Sequence, residues 1–271
     1  MNQYAKNIEH YKLGDKIGST YEGMGLVNLT PTPYSKINFN HGTKTDETDL
    51  VECFDSFVNA YQFSNVDQFL LDWCIFLYNH RGVRKYGSTW KHFFLLMEEL
   101  IETNRVGLSI INSIAKDHDR KGNGCLPLVY PVYHYANSIG QDPYEFTERI
   151  TLLTHAHPEA LKAVSSLVNF IHNATDNKEV FDAKNYGEEL FDFLNNHIDL
   201  SDAEFAVLYP HNVTALNTLF YAMYCVKNTN NMEDLISKVV SFRGDTDSAT
   251  ALALLLHSIR HKGHSEVYVG R

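Results

Sequence analysis

Apolar residues recur at spacings of three and four along most of the chain. The pattern is clear at residues 66–78 (VDQFLLDWCIFLY), 92–103 (HFFLLMEELIET), 105–116 (RVGLSIINSIAK), 158–172 (PEALKAVSSLVNFIH) and 212–226 (NVTALNTLFYAMYCV). This spacing places the apolar side chains on one face of an α-helix. Strict alternation of apolar and polar residues, which is typical of strands, is nearly absent. We therefore predict an all-α fold with roughly ten helices and little sheet.

Two of these helices carry start signals. Pro158 followed by Glu159 fits a first helical turn, and Asn212 fits an N-cap position. The chain of 271 residues shows no internal repeat, no low-complexity segment and no linker rich in Pro, Gly or Ser. The simplest organisation is therefore a single domain over residues 1–271.

Composition narrows the function classes. Hydrophobic residues make up 44% of the chain and charged residues 21%, which is typical of a globular protein and not of a disordered one. The formal net charge is -10, so a basic surface for non-specific nucleic-acid binding is not expected. No signal peptide or membrane span is visible. The cysteines lack metal-type pairing, and Cys53, Cys74 and Cys225 fit buried helix positions, so a reducing cytoplasm is the expected compartment.

Acidic residues stand at the start of two predicted helices. Asp245 and Asp247 follow Gly244 and precede a long apolar segment, and Asp46 and Glu47 lie between two threonines ahead of a second amphipathic segment. One interpretation is helix capping, with one acid as the cap and the other solvated. The other is that the two helix starts meet and supply hard oxygen ligands for Mg²⁺ or Mn²⁺.

Three further segments carry residues with possible chemistry. The segment GDKIGSTYE (residues 14–22) predicts a glycine-spaced helix start that positions Glu22 in a cleft, although small residues for close helix packing explain the glycines equally well. The loop of Gly122, Asn123 and Gly124 would let backbone N–H groups approach a phosphate or a ribose, or would be an ordinary turn. His155 and His157 precede a helix started by proline, where such a pair is more often a surface or helix-entry histidine pair than a set of metal ligands.

The order of these segments resembles the ADP-ribosylglycohydrolase family, which includes the dinitrogenase-reductase-activating glycohydrolases and the ADP-ribosylarginine and ADP-ribosylserine hydrolases. GDKIGSTYE matches the family's GD-x-x-G-x-x-x-E, and TDET matches its T-D-D-T. GNGCLPLVYP, THAHPEA and GDTDS then follow in the family's order, so the resemblance extends over about residues 10 to 260.

The resemblance implies an all-α orthogonal bundle with a binuclear Mg²⁺ or Mn²⁺ centre in a cleft. It implies two sets of metal ligands from the two acidic helix starts, namely Thr45, Asp46, Glu47, Asp245, Asp247 and Ser248. Glu22 and Asp46 are the implied acids for proton transfer. Gly122, Asn123, Gly124 and His155 are the implied substrate-binding residues.

The sequence departs from the family pattern at several of these positions. Glu47 replaces the second aspartate of T-D-D-T, and its extra methylene shifts the carboxylate by about one bond length, to which Mg²⁺ is sensitive. We expect Glu47 still to reach the centre, with a looser site that favours Mn²⁺. Ser248 replaces a common threonine, and Pro127 and Leu128 replace a Met-Arg pair after the G-N-G loop.

The resemblance predicts a metal-dependent hydrolase that cleaves the glycosidic bond between ADP-ribose and an acceptor. Its partner would be an ADP-ribosylated protein or a small molecule of the ADP-ribose type. The arginine-linked acceptor is the first hypothesis, and serine-linked ADP-ribose and O-acetyl-ADP-ribose are alternatives. A family member that binds ADP-ribose without turnover, or serves a structural role, also stays open. An unrelated metal-dependent phosphohydrolase that uses His155 and His157 is the third class.

Overall fold

The computed structural model describes residues 2–23, 32–37, 39, 42–82, 86–116, 119–176, 178–210 and 212–261. Within these residues the chain forms thirteen α-helices and three short 3₁₀ helices, and it forms no strand. The helices are α1 (Gln3–Gly18), α2 (Asp46–Ala60), α3 (Val66–His80), α4 (Ser88–Glu102), α5 (Leu108–Lys116), α6 (Val129–Ser138), α7 (Pro143–Thr151), α8 (Pro158–Thr175), α9 (Glu188–Asn196), α10 (Asp202–Leu208), α11 (Ala215–Lys227), α12 (Met232–Ser241) and α13 (Thr246–Arg260). The predicted all-α class is confirmed.

The structure has more helices than the roughly ten expected from periodicity. Three helices that the sequence analysis did not single out are short: α7 and α9 each have nine residues and α10 has seven. One predicted cap is wrong. Thr214 is the N-cap of α11, and the Asn212 side chain accepts a hydrogen bond from the Thr214 N–H at 2.9 Å. Pro158 begins α8 as predicted.

The α13 helix lies at the centre of the molecule. Its residues from Thr246 to Ile259 are all buried, because other helices surround it on every side. Helix α1 packs along α13, and α8, α11 and α12 cover the other faces. A second apolar cluster, rich in aromatic rings such as Phe54, Phe69 and Trp73, joins α2 through α7. Helix α2 contributes to both clusters, with Val51 in the first and Leu50 in the second.

The glycines of GDKIGSTYE are explained by helix packing. Gly14 and Gly18 lie in the second half of α1 and do not start a helix, so that part of the prediction is wrong. A Cβ atom at Gly14 would lie 2.5 Å from the Thr250 carbonyl oxygen, and one at Gly18 would lie 2.2 Å from the Thr246 carbonyl oxygen. Both neighbours are α13 backbone, so only glycine permits this close approach of the two helices.

None of the helices in the described part of the chain combines the length and the apolar character needed to cross a bilayer. All four cysteines are buried and unpaired, which confirms the prediction for Cys53, Cys74 and Cys225 and adds Cys125 to the core. The assignment of residues 1–271 to one domain stays a prediction.

We expect Gly14→Ala to destabilise the protein by about 1–3 kcal/mol, because the added methyl group overlaps the α13 backbone. In an uncrowded helix interior the same change would stabilise by about 1 kcal/mol, so the sign is diagnostic. Urea unfolding followed by circular dichroism measures the difference. Gly107→Ala is the control, since a Cβ there meets nothing within 4 Å. A stability equal to or above wild type in Gly14→Ala would contradict the packing argument.

Candidate metal and substrate site

The turn before α13 places two carboxylates at the helix start. Arg243 and Gly244 both have positive φ, at 62° and 84°. Asp245 then occupies the N-cap position, but its side chain makes no capping hydrogen bond with the helix. It accepts a hydrogen bond from the Asn123 side-chain amide instead. Asp247 lies two residues further on, in the first turn of α13. Its Oδ1 accepts a hydrogen bond from the Ser248 N–H at 2.8 Å. Asp245 is thus oriented by the loop at Asn123 and not by a capping interaction.

Glu22, in the turn that follows α1, joins these two acids. One carboxylate oxygen from each of Glu22, Asp245 and Asp247 lies within 4.8 Å of the others, a distance that suits shared ligation of one cation. Among the described His, Cys, Asp and Glu residues this is the one group of three or more with that spacing. Glu22 is exposed, Asp245 is half-buried and Asp247 is buried, so the group opens to solvent on the Glu22 side.

Burial and mutual repulsion raise the pKa of the clustered carboxyls. The pKa of Asp247 rises to about 7, first because the group is buried and then because of the charge on Asp245. Burial also raises the pKa of Asp245. The pKa of Asp46 rises to about 6, again mainly from burial and in part from the charge on Asp247. Burial and mutual repulsion disfavour the charged forms of these carboxylates. A bound divalent cation would offset the repulsion, and its preferred ligands are oxygen atoms.

The first turn of α2 is held by a buried aspartate of α1. The Asp15 carboxylate is 0% exposed and accepts the backbone N–H of Thr45 at 2.9 Å and that of Thr48 at 3.3 Å. It also accepts the hydroxyl of Thr45 at 2.8 Å and the hydroxyl of Thr48. Asp15 therefore caps α2 from another helix, and a negative charge at a helix N-terminus is favourable.

Glu47 is the most deeply enclosed of the acids at the α2 start. Its Oε2 accepts from the Tyr11 hydroxyl at 2.7 Å, and its Oε1 accepts from the Ser248 hydroxyl at 2.6 Å. The side chain is 6% exposed, and burial together with the charges of Asp46 and Asp247 raises its pKa well above the usual range. Glu47 thus connects α1, α2 and α13 through hydrogen bonds.

The Gly122–Gly124 loop contacts the acids through one side chain. The Asn123 backbone N–H donates to the Val213 carbonyl at 2.9 Å and is therefore used within the protein, contrary to the expectation that it faces a ligand. The Asn123 side chain donates to Thr218 at 3.0 Å and to Asp245. Gly124 lies against Trp90, whose indole N–H donates to the Gly124 carbonyl at 3.0 Å.

His155 is buried next to this loop. It is 1% exposed, its Nδ1 lies 2.8 Å from the Thr154 hydroxyl, and its ring packs edge-on against Trp90. Burial, with a smaller contribution from Arg120, lowers its pKa to about 3, so the ring is neutral. His157 has different partners: it caps α8 and its Nε2 lies 3.1 Å from Asp119. The two histidines are therefore separate structural groups.

Comparison with known proteins agrees with this arrangement of segments. The family model for ADP-ribosylglycohydrolase matches residues 12–262. The chain belongs to the ADP-ribosylglycohydrolase family. A solved structure described as an ADP-ribosylglycohydrolase-related protein complex superposes with a TM-score of 0.62 over 96% of this chain and 87% of the other, at 20% sequence identity. At that identity the likeness shows the fold alone. A search of curated proteins finds no match.

Membership in the ADP-ribosylglycohydrolase family indicates a glycohydrolase of the metal-dependent kind. The structure brings Glu22 together with Asp245 and Asp247, and it places Asn123 and Ser248 against the same acids. Which of these residues bind metal or substrate stays a prediction.

Three residues that shape this site were not assigned a role from the sequence. Asp15 lies within the recognised GDKIG segment, so the motif marked it, but nothing local indicated that it caps a different helix. Tyr11 and Trp90 lie outside every motif and were found only through their contacts with Glu47 and Gly124.

We expect Asp15→Asn to destabilise this ADP-ribosylglycohydrolase by on the order of 3 kcal/mol, because the amide nitrogen faces donors that it cannot pair. Urea unfolding in EDTA measures the loss without any contribution from bound metal. Asp67→Asn is the matched control. Asp67 is 75% exposed and pairs with Arg149 on the surface, so its substitution should change stability by less than about 1 kcal/mol. Equal effects of the two substitutions would refute the role of Asp15 as a cap.

The buried neutral His155 should make folding stability depend on pH. The unfolded chain takes up a proton near pH 6.5 whereas the folded protein does so only near pH 3, so stability is lost as the pH falls through that window. His155→Asn keeps a polar group and removes this proton uptake. We expect the variant to lose stability less steeply between pH 6 and 4, by up to about 1.4 kcal/mol per pH unit. Parallel wild-type and variant curves, measured in EDTA, would contradict a buried neutral ring.

Proposed function

We propose that the protein hydrolyses the glycosidic bond between ADP-ribose and an acceptor side chain, with arginine as the first acceptor to test. The observation that carries the proposal is the group of Glu22, Asp245 and Asp247 in a chain of the ADP-ribosylglycohydrolase family. Serine-linked ADP-ribose and O-acetyl-ADP-ribose are the alternative substrates. A cytoplasmic location and an ADP-ribosylated protein as partner belong to the same proposal.

The residues that would hold Mg²⁺ or Mn²⁺ are Asp245 and Asp247, with Glu22 at the exposed edge and Asp46 beside them. Hard oxygen ligands of this kind suit both ions. When bound, the cation supplies positive charge that attracts the ribose hydroxyls and the anionic pyrophosphate and favours water as a nucleophile. The protein itself carries a formal net charge of -10, so such a charge is needed at the cleft.

The acids of the chain have separable tasks in this reaction. Hydrolysis adds hydroxide to the anomeric carbon of the ribose, breaks its bond to the acceptor nitrogen and delivers a proton to that nitrogen. Glu22 is exposed and therefore accessible to water and to the leaving group. Asp46 is half-buried and close enough to Asp247 for their charges to interact. These two carboxylates are the candidates for accepting and returning the proton.

Asn123 has a supporting task. Its amide donates to Asp245, whose carboxylate makes no capping hydrogen bond to α13. This contact fixes one ligand before substrate or cation arrives, and such support from a neighbouring group improves both affinity and geometry at metal sites.

We expect Asp245→Asn to reduce release of ADP-ribose by roughly 100-fold or more, and EDTA to abolish it until Mg²⁺ or Mn²⁺ is restored. The assay follows products from arginine-linked, serine-linked and O-acetyl substrates. Asp67→Asn, on the exposed surface, should retain wild-type rates. AMP as the product would indicate a phosphohydrolase instead. Binding of ADP-ribose with no turnover of any substrate would overturn hydrolysis in favour of a binding protein.

A further inference from the structure

Glu47 is positioned differently from the other acids of the cleft. Tyr11 donates to one of its carboxylate oxygens and Ser248 donates to the other, at 2.7 and 2.6 Å. Tyr11 is 2% exposed, and Glu47 and Ser248 are each 6% exposed. A carboxylate that receives two hydroxyl donors in a buried setting is strongly held, because moving it would leave both hydroxyl groups without a partner.

The Thr45 hydroxyl at the α2 start is also committed to a protein contact, because it donates to Asp15 at 2.8 Å. Neither Asp46 nor Glu47 belongs to the group of carboxylates within 4.8 Å, which consists of Glu22, Asp245 and Asp247 among the described residues. Asp245 and Asp247 also accept hydrogen bonds, so the difference is convergence. Three carboxylate oxygens meet on the α13 side, whereas among the described residues Asp46 and Glu47 belong to no such group of His, Cys, Asp or Glu ligands.

The extra methylene of Glu47 explains this position. The longer side chain reaches across to α13, where Ser248 meets one oxygen, while Tyr11 from α1 meets the other. The Ser248 hydroxyl directs its proton to Glu47, so its oxygen lone pairs point away from Glu47. Ser248 also lies next to Asp245. A ligand hydroxyl held by an outer carboxylate is a common arrangement at metal sites.

We propose that Tyr11 is a positioning residue that acts through Glu47 on Ser248, and that the centre binds one divalent cation per chain. Glu47 then serves as an outer carboxylate that orients Ser248, and the α2 start does not complete a second cation site. The inference rests on the proposed function only in taking the acids as a metal centre, and it revises the hypothesis that Glu47 itself binds metal.

Calorimetric titration of the full-length protein with Mn²⁺ tests the inference through stoichiometry and Kd, without a substrate. Wild type should bind one Mn²⁺. Tyr11→Phe should also bind one, with a Kd about 10-fold weaker. Ser248→Ala should weaken binding similarly, and the double variant should be no weaker than Ser248→Ala alone, because both changes interrupt one chain of contacts.

Tyr130→Phe is the matched control. Tyr130 on α6 is also 2% exposed. Its hydroxyl accepts a hydrogen bond at 2.6 Å from Asn7, which lies on α1 as Tyr11 does, and it has no hydrogen bond to Glu47, Asp245 or Asp247. Both Tyr→Phe variants should lower the Tm of the metal-free protein, and only Tyr11→Phe should change the Kd for Mn²⁺. A purely structural role for Tyr11 would lower the Tm and leave the Kd unchanged, which would overturn the proposal.

Two bound Mn²⁺ ions in wild type, or additive effects of the Tyr11 and Ser248 substitutions, would also overturn the proposal.

These results are distinct from failure of the proposed hydrolase function. One bound Mn²⁺ with the expected response to Tyr11→Phe, but no release of ADP-ribose, would support the positioning role and refute the hydrolase. Two bound ions with full activity would do the reverse. No Mn²⁺ binding at all would refute the metal centre and the positioning role together.

Discussion

The buried carboxylate of Asp15 holds together the helices that form the site. It sits on α1, has no exposure to solvent and accepts both the N–H groups and the hydroxyls of Thr45 and Thr48 at the start of α2. Desolvating a carboxylate is costly, and these charge-assisted hydrogen bonds offset that cost only in one relative position of the two helices. The placement of Asp46 and Glu47 follows from this contact.

A second constraint acts on the other side of α1. Gly14 and Gly18 let the backbone of α1 approach the first turns of α13, so the start of α13 lies next to the end of α1 and the turn that carries Glu22. The Gly23 N–H donates to the Gly244 carbonyl at 3.3 Å and ties that turn to the segment before α13. Helix packing therefore brings Glu22 to Asp245 and Asp247, and the electrostatic cost of their proximity is what a cation would relieve.

The site consequently separates into two halves with different physical character. On the α13 side, carboxylates converge toward an exposed edge and are suited to a cation and to water. On the α2 side, Glu47 connects three helices through buried hydroxyl groups, and His155 and Trp90 support the Gly124 loop as neutral packed rings. Cation binding would thus fall to the carboxylates near the start of α13, and Glu47 at the start of α2 would hold the surrounding helices in place.

The sequence by itself determined the all-α class, most of the longer helices, the burial of Cys53, Cys74 and Cys225 and the order of motifs that characterises the family. These features are local: helical periodicity and glycine or acid spacing are read within one segment. The tertiary structure alone decided that Glu22 joins Asp245 and Asp247, that Asp15 caps α2, that Tyr11 reaches Glu47 and that His155 is buried. Residue spacing cannot encode such contacts, because they join positions as far apart as Glu47 and Ser248 and depend on how closely α1 packs against α13.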